Sequence, residues 1–296
     1  MKTIFTPRLM FAVEHRMQYR FDRQVSLKPH LIRLRPAPHC RTPIQSYSLS
    51  VSTQGSARAP AGHYVHWLRD SFGNHLAMLS FREAVSGFSV EIGLQLEMAG
   101  DREPRVTASA RRYPFEYGPM LQPTLTPYLG IAESGPLLRG WLQRTDCRRR
   151  PTLDFLAELG GRVQREIDYC VRMQPGVQSC EQTLLLGSGS CRDSAWLLVQ
   201  ILRHLGLAAR FVSGYLLQPQ GNILAAEDSI ELHAWVEVYI PGAGWLGIDS
   251  TSGLFTTAGH IPLACAPEPL ATAPVSGKIG RCSIMLEFHT AVSRIN

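Results

Sequence analysis

The most regular alternation of apolar and polar positions lies in GSGSCRDSAWLLVQILRHLGL, Gly187 to Leu207. Counting from Cys191, Ala195, Leu198, Leu202 and Leu205 recur at i+4, i+7, i+11 and i+14, a single apolar stripe on one helical face. Gly187, Ser188, Gly189 and Ser190 disfavour a helix interior and suit a cap, so the helix begins at Cys191. Gly206 suits the left-handed residue that ends a helix, and His204 falls in the last turn, where the dipole favours positive charge. Cys191 therefore occupies the first turn of a buried helix, where unpaired N–H groups stabilise a thiolate. A second helical run covers Thr152 to Met173, with Phe155, Leu156, Leu159, Val163, Ile167 and Cys170 on its apolar face and Asp154 near its start. Leu137 to Gln143 has room for a short third helix.

Elsewhere the pattern is that of strands. Between Met10 and Met98 the segments MQYRF, HLIRLRP, IQSYSLSVST, HYVHWL, HLAMLSF and FSVEIGLQLEM are short, partly alternating and rich in branched and aromatic residues. Turn chemistry separates them, notably Asp70-Ser71-Phe72-Gly73-Asn74, where Gly73 or Asn74 supplies a positive φ. This spacing predicts a β-sandwich-like module over residues 1–100. Residues 101–150 are rich in proline, with Tyr113, Phe115, Tyr117 and Tyr128 as anchors, and read as an ordered connector. Beyond the central helix, Arg210 to Leu217 reads as a strand. Then His233–Ile240 and Trp245–Asp249 form two more, joined by Pro241-Gly242-Ala243-Gly244. A three-residue loop, with Ile240 opposite Gly244, places Trp235 opposite Asp249 and makes Asp249 a same-face diagonal neighbour of His233. A four-residue loop separates them onto opposite faces.

Composition narrows the function. The net charge of +6 is carried mostly by arginine, spread along the chain without a basic face interleaved with aromatics, so nucleic acid is not an expected partner. No apolar run reaches the roughly 20 residues of a membrane span. The N-terminal stretch is broken by Pro7, Arg8 and Glu14, so no signal peptide is read there. The seven cysteines are odd in number and irregular in spacing, with no Cys-x-x-Cys. Neither His63-x-x-His66 nor His39-Cys40 has a second ligand pair nearby, so no metal site and no cofactor is expected. A reducing cytoplasm is the expected compartment.

A thiolate nucleophile needs a base, and the base needs an orienting acceptor. Cys191, His233 and Asp249 supply those three residue types in that order. Each has a bland alternative: a core thiol, a packed imidazole, a turn-capping carboxylate. The stretches that carry them, GSGSCRDSAWLLVQILRHLGLAARFVSGYL and HAWVEVYIPGAGWLGIDSTSGL, together with GHIPLA further on, resemble the transglutaminase-like superfamily of papain-like thiol enzymes, more closely its bacterial branch. HLIRLRP and DSFGN resemble marks of the β module that precedes the thiol domain in that branch.

The resemblance implies an α+β chain in which the β module and connector precede a transglutaminase-like core over residues 151–296, the Cys191 helix packed on an antiparallel sheet. It aligns Cys191 with the family nucleophile, His233 with its histidine and Asp249 with its aspartate. Where the family usually has proline after that aspartate, Ser250 stands here, and a looser strand end is expected. The expected chemistry is hydrolysis of a peptide or isopeptide-like amide in a peptide or protein substrate, through an acyl-thioester. Amine transfer and a non-catalytic binding scaffold are the alternatives. The Cys191 N–H is the first oxyanion donor, and Gln182 and Tyr169 are candidates for a second. Trp235, Trp245 and Arg192 are candidates for the cleft, and Asp193 is expected to serve the first helical turn. Chains of this type are often fused to, or encoded beside, a protein resembling carboxylate–amine ligases, which makes such a protein an expected partner.

Overall fold

A computed structural model describes residues 9–55, 62–98, 100, 103–219 and 228–295. Strands β1 (Leu9–Val25), β2 (His30–Ile32), β3 (Ile44–Gln54), β4 (His63–Arg69), β5 (His75–Phe81) and β6 (Val85–Met98) come first. Their alternation sets their orientation. Phe11, Val13, His15 and Met17 of β1 are buried, while Ser46, Ser48, Ser50 and Ser52 of β3 face away from Tyr47, Leu49 and Val51. In the expected hairpin Gly73 takes φ +84°, and the Asp70 carboxylate accepts the Phe72 and Asn74 N–H groups at 2.9 Å each.

The connector contains the short strand β7 (Arg112–Tyr113) and helices α1 (Gln122–Leu129) and α2 (Pro136–Gln143). Its prolines do not prevent regular structure: Pro123 sits in the first turn of α1, where a missing N–H costs little, and Pro127 lies within the same helix. The tyrosines anchor it as expected. Tyr113 Oη donates to the Leu205 carbonyl, and Tyr117 Oη donates to the Tyr239 carbonyl.

The two-residue strand β8 (Arg150–Pro151) pairs with β7, and α3 (Thr152–Glu166) follows directly. That helix ends earlier than its apolar spacing predicts. Strand β9 (Asp168–Tyr169) leaves it to pair in parallel with β10 (Ser188–Gly189), and the Cys170 N–H bonds the Gly189 carbonyl, so Cys170 lies outside the helix. Between them, α4 (Cys180–Leu186) is started by a capping box between Ser179 and Gln182. Next comes α5 (Cys191–His204), with Gly206 at φ +77° beyond its end. The antiparallel strands β11 (Ala209–Gln218), β12 (Ser229–Ile240), β13 (Gly244–Asp249), β14 (Leu254–Phe255) and β15 (His260–Ala266) make one sheet in the order β14-β13-β12-β11-β15.

Helix α5 packs its stripe against Phe211, Ala234, Val236, Val238 and Ile240 of this sheet. The helix is buried on its other side too. Trp196, Gln200 and Arg203, spaced one helical face apart, bond Glu133 and the backbone of residues 130–133. The Pro-rich connector thus covers the face of α5 opposite its apolar stripe.

The chain then returns to its beginning. Strand β16 (Val275–Ser276) pairs with β2, and β17 (Ile284–Ile295) pairs with β1 from Phe21 to Met10. Both four-stranded sheets of the module, β17-β1-β6-β3 and β16-β2-β5-β4, are therefore completed by residues expected to belong to the core of 151–296. The physical reason is the edge of β1, whose long row of backbone groups β17 satisfies on one side. The module shares its hydrophobic core with Tyr215, Leu217, Ile230, Ile261 and Leu263, so module and sheet pack as neighbours.

Polar contacts join them at the edge strand β15, where the Ala37 N–H bonds the Pro262 carbonyl at 2.7 Å. Buried Asn74 donates to the Cys265 carbonyl at 2.8 Å and accepts the Cys265 N–H at 2.9 Å, as a further strand would. Asn74→Ala leaves both backbone groups buried and unpaired, and is expected to cost about 2 kcal/mol or more. Urea unfolding should show a lower midpoint at unchanged slope, and an unchanged midpoint would contradict this role.

Candidate active site

The site begins with the way α5 starts. Ser190 is extended ahead of the helix, and the Asp193 carboxylate reaches back to the Ser190 N–H at 2.8 Å and its hydroxyl at 2.7 Å. Asp193 is fully buried, and such a charge needs partners. It has them: Arg172 donates to both oxygens at 2.9 and 3.0 Å, and the Gln178 N–H adds a third contact at 2.6 Å. Burial pushes this carboxyl up, but Arg172, Gln178 and Ser190 outweigh it and hold it below the usual carboxylate range. Arg192 donates to the Arg172 and Gln174 carbonyls, so both arginines strap the loop after β9 onto the head of α5. This places Arg192 in the framework, its guanidinium engaged by the loop backbone. Cys191 emerges from this brace half-buried and free of any disulfide.

The histidine and the carboxylate come from the hairpin. Ile240 pairs with Gly244, which is the three-residue loop, and the ladder runs to Val236 opposite Ile248. Continuing that register brings Trp235 beside Asp249 and His233 onto the neighbouring diagonal. His233 Nε2 lies 3.2 Å from Asp249 Oδ1, a close ion pair whose N–H is off the line of a full hydrogen bond. Both side chains are buried. The Cys191 thiol is within hydrogen-bonding reach of the same imidazole. Burial alone pushes His233 down, yet Asp249 and the thiol together raise it to about 10. For Asp249, burial pushes up, and bonds from His233, His260 and Thr251 override it to hold the carboxyl well below its usual range. The Thr251 N–H and hydroxyl both donate to Oδ1, at 2.9 and 2.8 Å.

Ser250 was expected to slacken this strand end. Instead it is buried, and its hydroxyl donates to Ser194 Oγ at 3.1 Å, tying the Asp249 turn to the first turn of α5. A hydrogen bond takes the place of a ring constraint. Beside it a cavity of about 110 Å³ is lined mainly by polar groups, among them Gln164, Asp168, Ser194 and Ser250. That is space enough for water.

The remaining candidates separate. Tyr169 is exposed and lines the cavity beside Ser250. Gln182 bonds the Ser179 backbone N–H within the cap of α4. Trp235 is fully buried, and its ring lies 6.4 Å from that of His233. Gly214 makes room for it: a side chain there would collide with the indole and the Ile261 backbone. Trp245 is at the other end of the hairpin, packed by Tyr128, Tyr239 and the Arg210 guanidinium.

His260, at the head of β15, is a member of the site that pattern reading missed. Its Nε2 is 3.4 Å from Asp249 Oδ2. Among the described residues, His233, Asp249 and His260 have the spacing of a metal site. The second partner of His260 argues against that use. The Thr257 N–H donates to His260 Nδ1 at 3.1 Å, which leaves the ring proton on Nε2, facing the carboxylate. A metal-binding imidazole does the reverse, donating from its outer nitrogen and ligating with a bare one.

Residues 11–97 match the family described as the bacterial transglutaminase-like N-terminal region, and residues 141–250 match the transglutaminase-like superfamily. An uncharacterized protein of Mycobacterium tuberculosis is 23% identical over 282 residues, covering 91% of this chain and 87% of that protein. A protein-glutamine gamma-glutamyltransferase of Pseudomonas aeruginosa is 42% identical over 67 residues, 22% of this chain and 10% of that protein. The crystal structure of a candidate cysteine protease from Cytophaga hutchinsonii superposes with a TM-score of 0.69 at 16% identity, covering 98% of this chain and 92% of that one. At that identity the likeness speaks for the fold.

The raised His233 gives a signed pH dependence. A group raised in the folded state from 6.5 to about 10 contributes its full stability below 6.5 and loses it as pH climbs toward 10. The depressed Asp249 works the other way, its contribution present above 3.8 and lost in acid. The stability gap between wild type and His233→Gln should be widest between those values and narrow toward pH 10. Thermal unfolding at pH 6 and pH 10 checks this, and a gap that widens with pH would refute the pairing.

Proposed function

Since this chain belongs to the bacterial transglutaminase-like family, whose two matched regions cover about two thirds of it, we propose that it is a thiol-dependent acyl-transfer enzyme. Its reaction is hydrolysis of a peptide or isopeptide-like amide through an acyl-thioester on Cys191. The observation that carries this reading is the unbroken chain from a half-buried thiol through the His233 imidazole to a buried Asp249 carboxylate.

With Nε2 turned to Asp249, Nδ1 is the imidazole nitrogen left for the thiol. The proton of the Cys191–His233 couple rests on the imidazole, and Cys191 adds to the amide carbonyl carbon as the thiolate. The tetrahedral oxyanion needs donors, and the Cys191 N–H, at the first helical residue, has no intrahelical acceptor of its own. Collapse of the adduct breaks the C–N bond, the amine leaves with the proton from His233, and the acyl group stays on sulfur. Water then adds to the thioester with His233 as base, releasing the acid and the thiol. Asp249 keeps the imidazole oriented and its cation stabilised throughout.

Amine transfer is the second reading, favoured by the likeness over 67 residues to the Pseudomonas protein-glutamine gamma-glutamyltransferase. It differs only in the acceptor that opens the thioester. The substrate is a peptide or protein, and a carboxylate–amine ligase-like protein is the partner we propose. The seven unpaired cysteines favour a reducing compartment, the cytoplasm.

Iodoacetamide at mildly acidic pH should label Cys191 ahead of the other six cysteines, and His233→Ala should abolish that preference. Uniform slow labelling would favour a binding scaffold. Against a substrate trapped on Cys191→Ala and identified by mass spectrometry, wild type should turn over. His233→Ala should lose about 10²–10⁴ in rate. Adding a primary amine distinguishes the two enzymes: an acid product supports hydrolysis, an amide product supports transfer.

A further inference from the structure

Asp249 has two oxygens, and each has its own clients. Oδ1 faces His233 and takes both Thr251 donors. Oδ2 is met by His260 Nε2 at 3.4 Å. With Oδ1 alone engaged, only that oxygen's contacts oppose rotation about the Cβ–Cγ bond, and such rotation would swing Oδ1 away from His233. A donor on the second oxygen closes that freedom.

His260 is built to be that donor. The Thr257 N–H on Nδ1 fixes the tautomer, because a nitrogen that accepts a hydrogen bond cannot carry the ring proton. Trp235 fixes the plane: its indole meets the His260 ring edge-on at 5.2 Å and lies nearly parallel to the His233 ring. The His260 side chain is only 8% exposed, so solvent offers its Nε2–H little alternative to Asp249. Strand pairing places it as well, with His260 opposite Leu216 on β11.

We propose that His260 is a positioning residue: by donating its Nε2–H to Asp249 Oδ2, it locks the carboxylate in the rotation that presents Oδ1 to His233. The inference rests on the thiol-enzyme reading of Cys191, His233 and Asp249. It adds a fourth residue that touches neither thiol nor substrate and acts through Asp249 alone. Trp235, a candidate for the cleft wall, then has a place packed against both imidazole rings, at 6.4 Å from His233 and 5.2 Å from His260.

The test compares His260→Leu with His260→Gln, whose amide nitrogen can occupy the place of Nε2 and donate to Oδ2. The readout is the rate of Cys191 alkylation by iodoacetamide at pH 7, which needs no knowledge of the substrate. His260→Leu should slow labelling about tenfold, the scale of one hydrogen bond to a charged group, and His260→Gln should recover most of that loss at equal thermal stability. Wild-type labelling speed in a folded His260→Leu, or a Gln variant no faster than the Leu variant, would overturn the proposal. Should the Leu variant fail to fold, ¹⁵N imidazole shifts of the wild-type protein decide. A proton on Nε2 of His260 is expected, and a proton on Nδ1 would overturn it. Failure of the underlying reading looks different, because wild type itself would then show no preference for Cys191.

Discussion

A single buried carboxylate, Asp249, sets the terms for the rest of this molecule. An ion out of water costs several kcal/mol unless charge and hydrogen bonds replace the solvent. Asp249 obtains both from three neighbours: the His233 imidazole, the Thr251 backbone and hydroxyl, and the His260 ring. Each comes from a different piece of chain. The hairpin must close in three residues to give the first, the turn after β13 must curl back for the second, and β15 must lie on the far side of β11 for the third. The order of the sheet that carries Asp249 satisfies these requirements together.

The thiol half of the site rests on a second buried carboxylate. Asp193 and Arg172 hold the start of α5 against the loop after β9, and Ser250 links that start to the Asp249 turn. The two halves are thereby tied by hydrogen bonds. The same logic operates away from the site. Glu237 is fully buried, yet Arg210 at 2.6 Å and His39 from the module at 3.4 Å hold its carboxyl at about 2 against the upward push of burial. Module and sheet are joined by that contact, by Asn74 and by a shared apolar core. The module is therefore part of what holds β15, and with it His260, in place.

Much of this was legible in the sequence because it is written in local periodicity. The Cys191 helix begins and ends where its glycines and serines place it. The hairpin register follows from loop length, and Asp249 follows from the register. What escaped depended on distant partners. Helix α3 stops short because β10, some twenty residues on, claims Asp168 and Tyr169. Strand β17 has little amphipathic pattern and exposes Ile284, Met285, Leu286 and Phe288, so only its pairing with β1 marks it as a strand of the module. His260 carries no local signal of its role, since Asp249 and Thr257 give it one only in three dimensions. The capping box at Ser179 and Gln182 was readable and would have announced α4. Trp245 could not be placed from alternation alone, because face is fixed by period but position along the sheet is not.

The central claim is that Asp249 and the Cys191 thiol keep His233 charged at a pH where a free imidazole is neutral. The most direct measurement is an NMR titration of the histidine side chains in the resting protein, with His233 assigned by the signal missing from His233→Gln. The account predicts that His233 remains an imidazolium at pH 8 and loses its proton only near pH 10. An imidazole that titrates near the ordinary 6.5 and is neutral at pH 8 would contradict it.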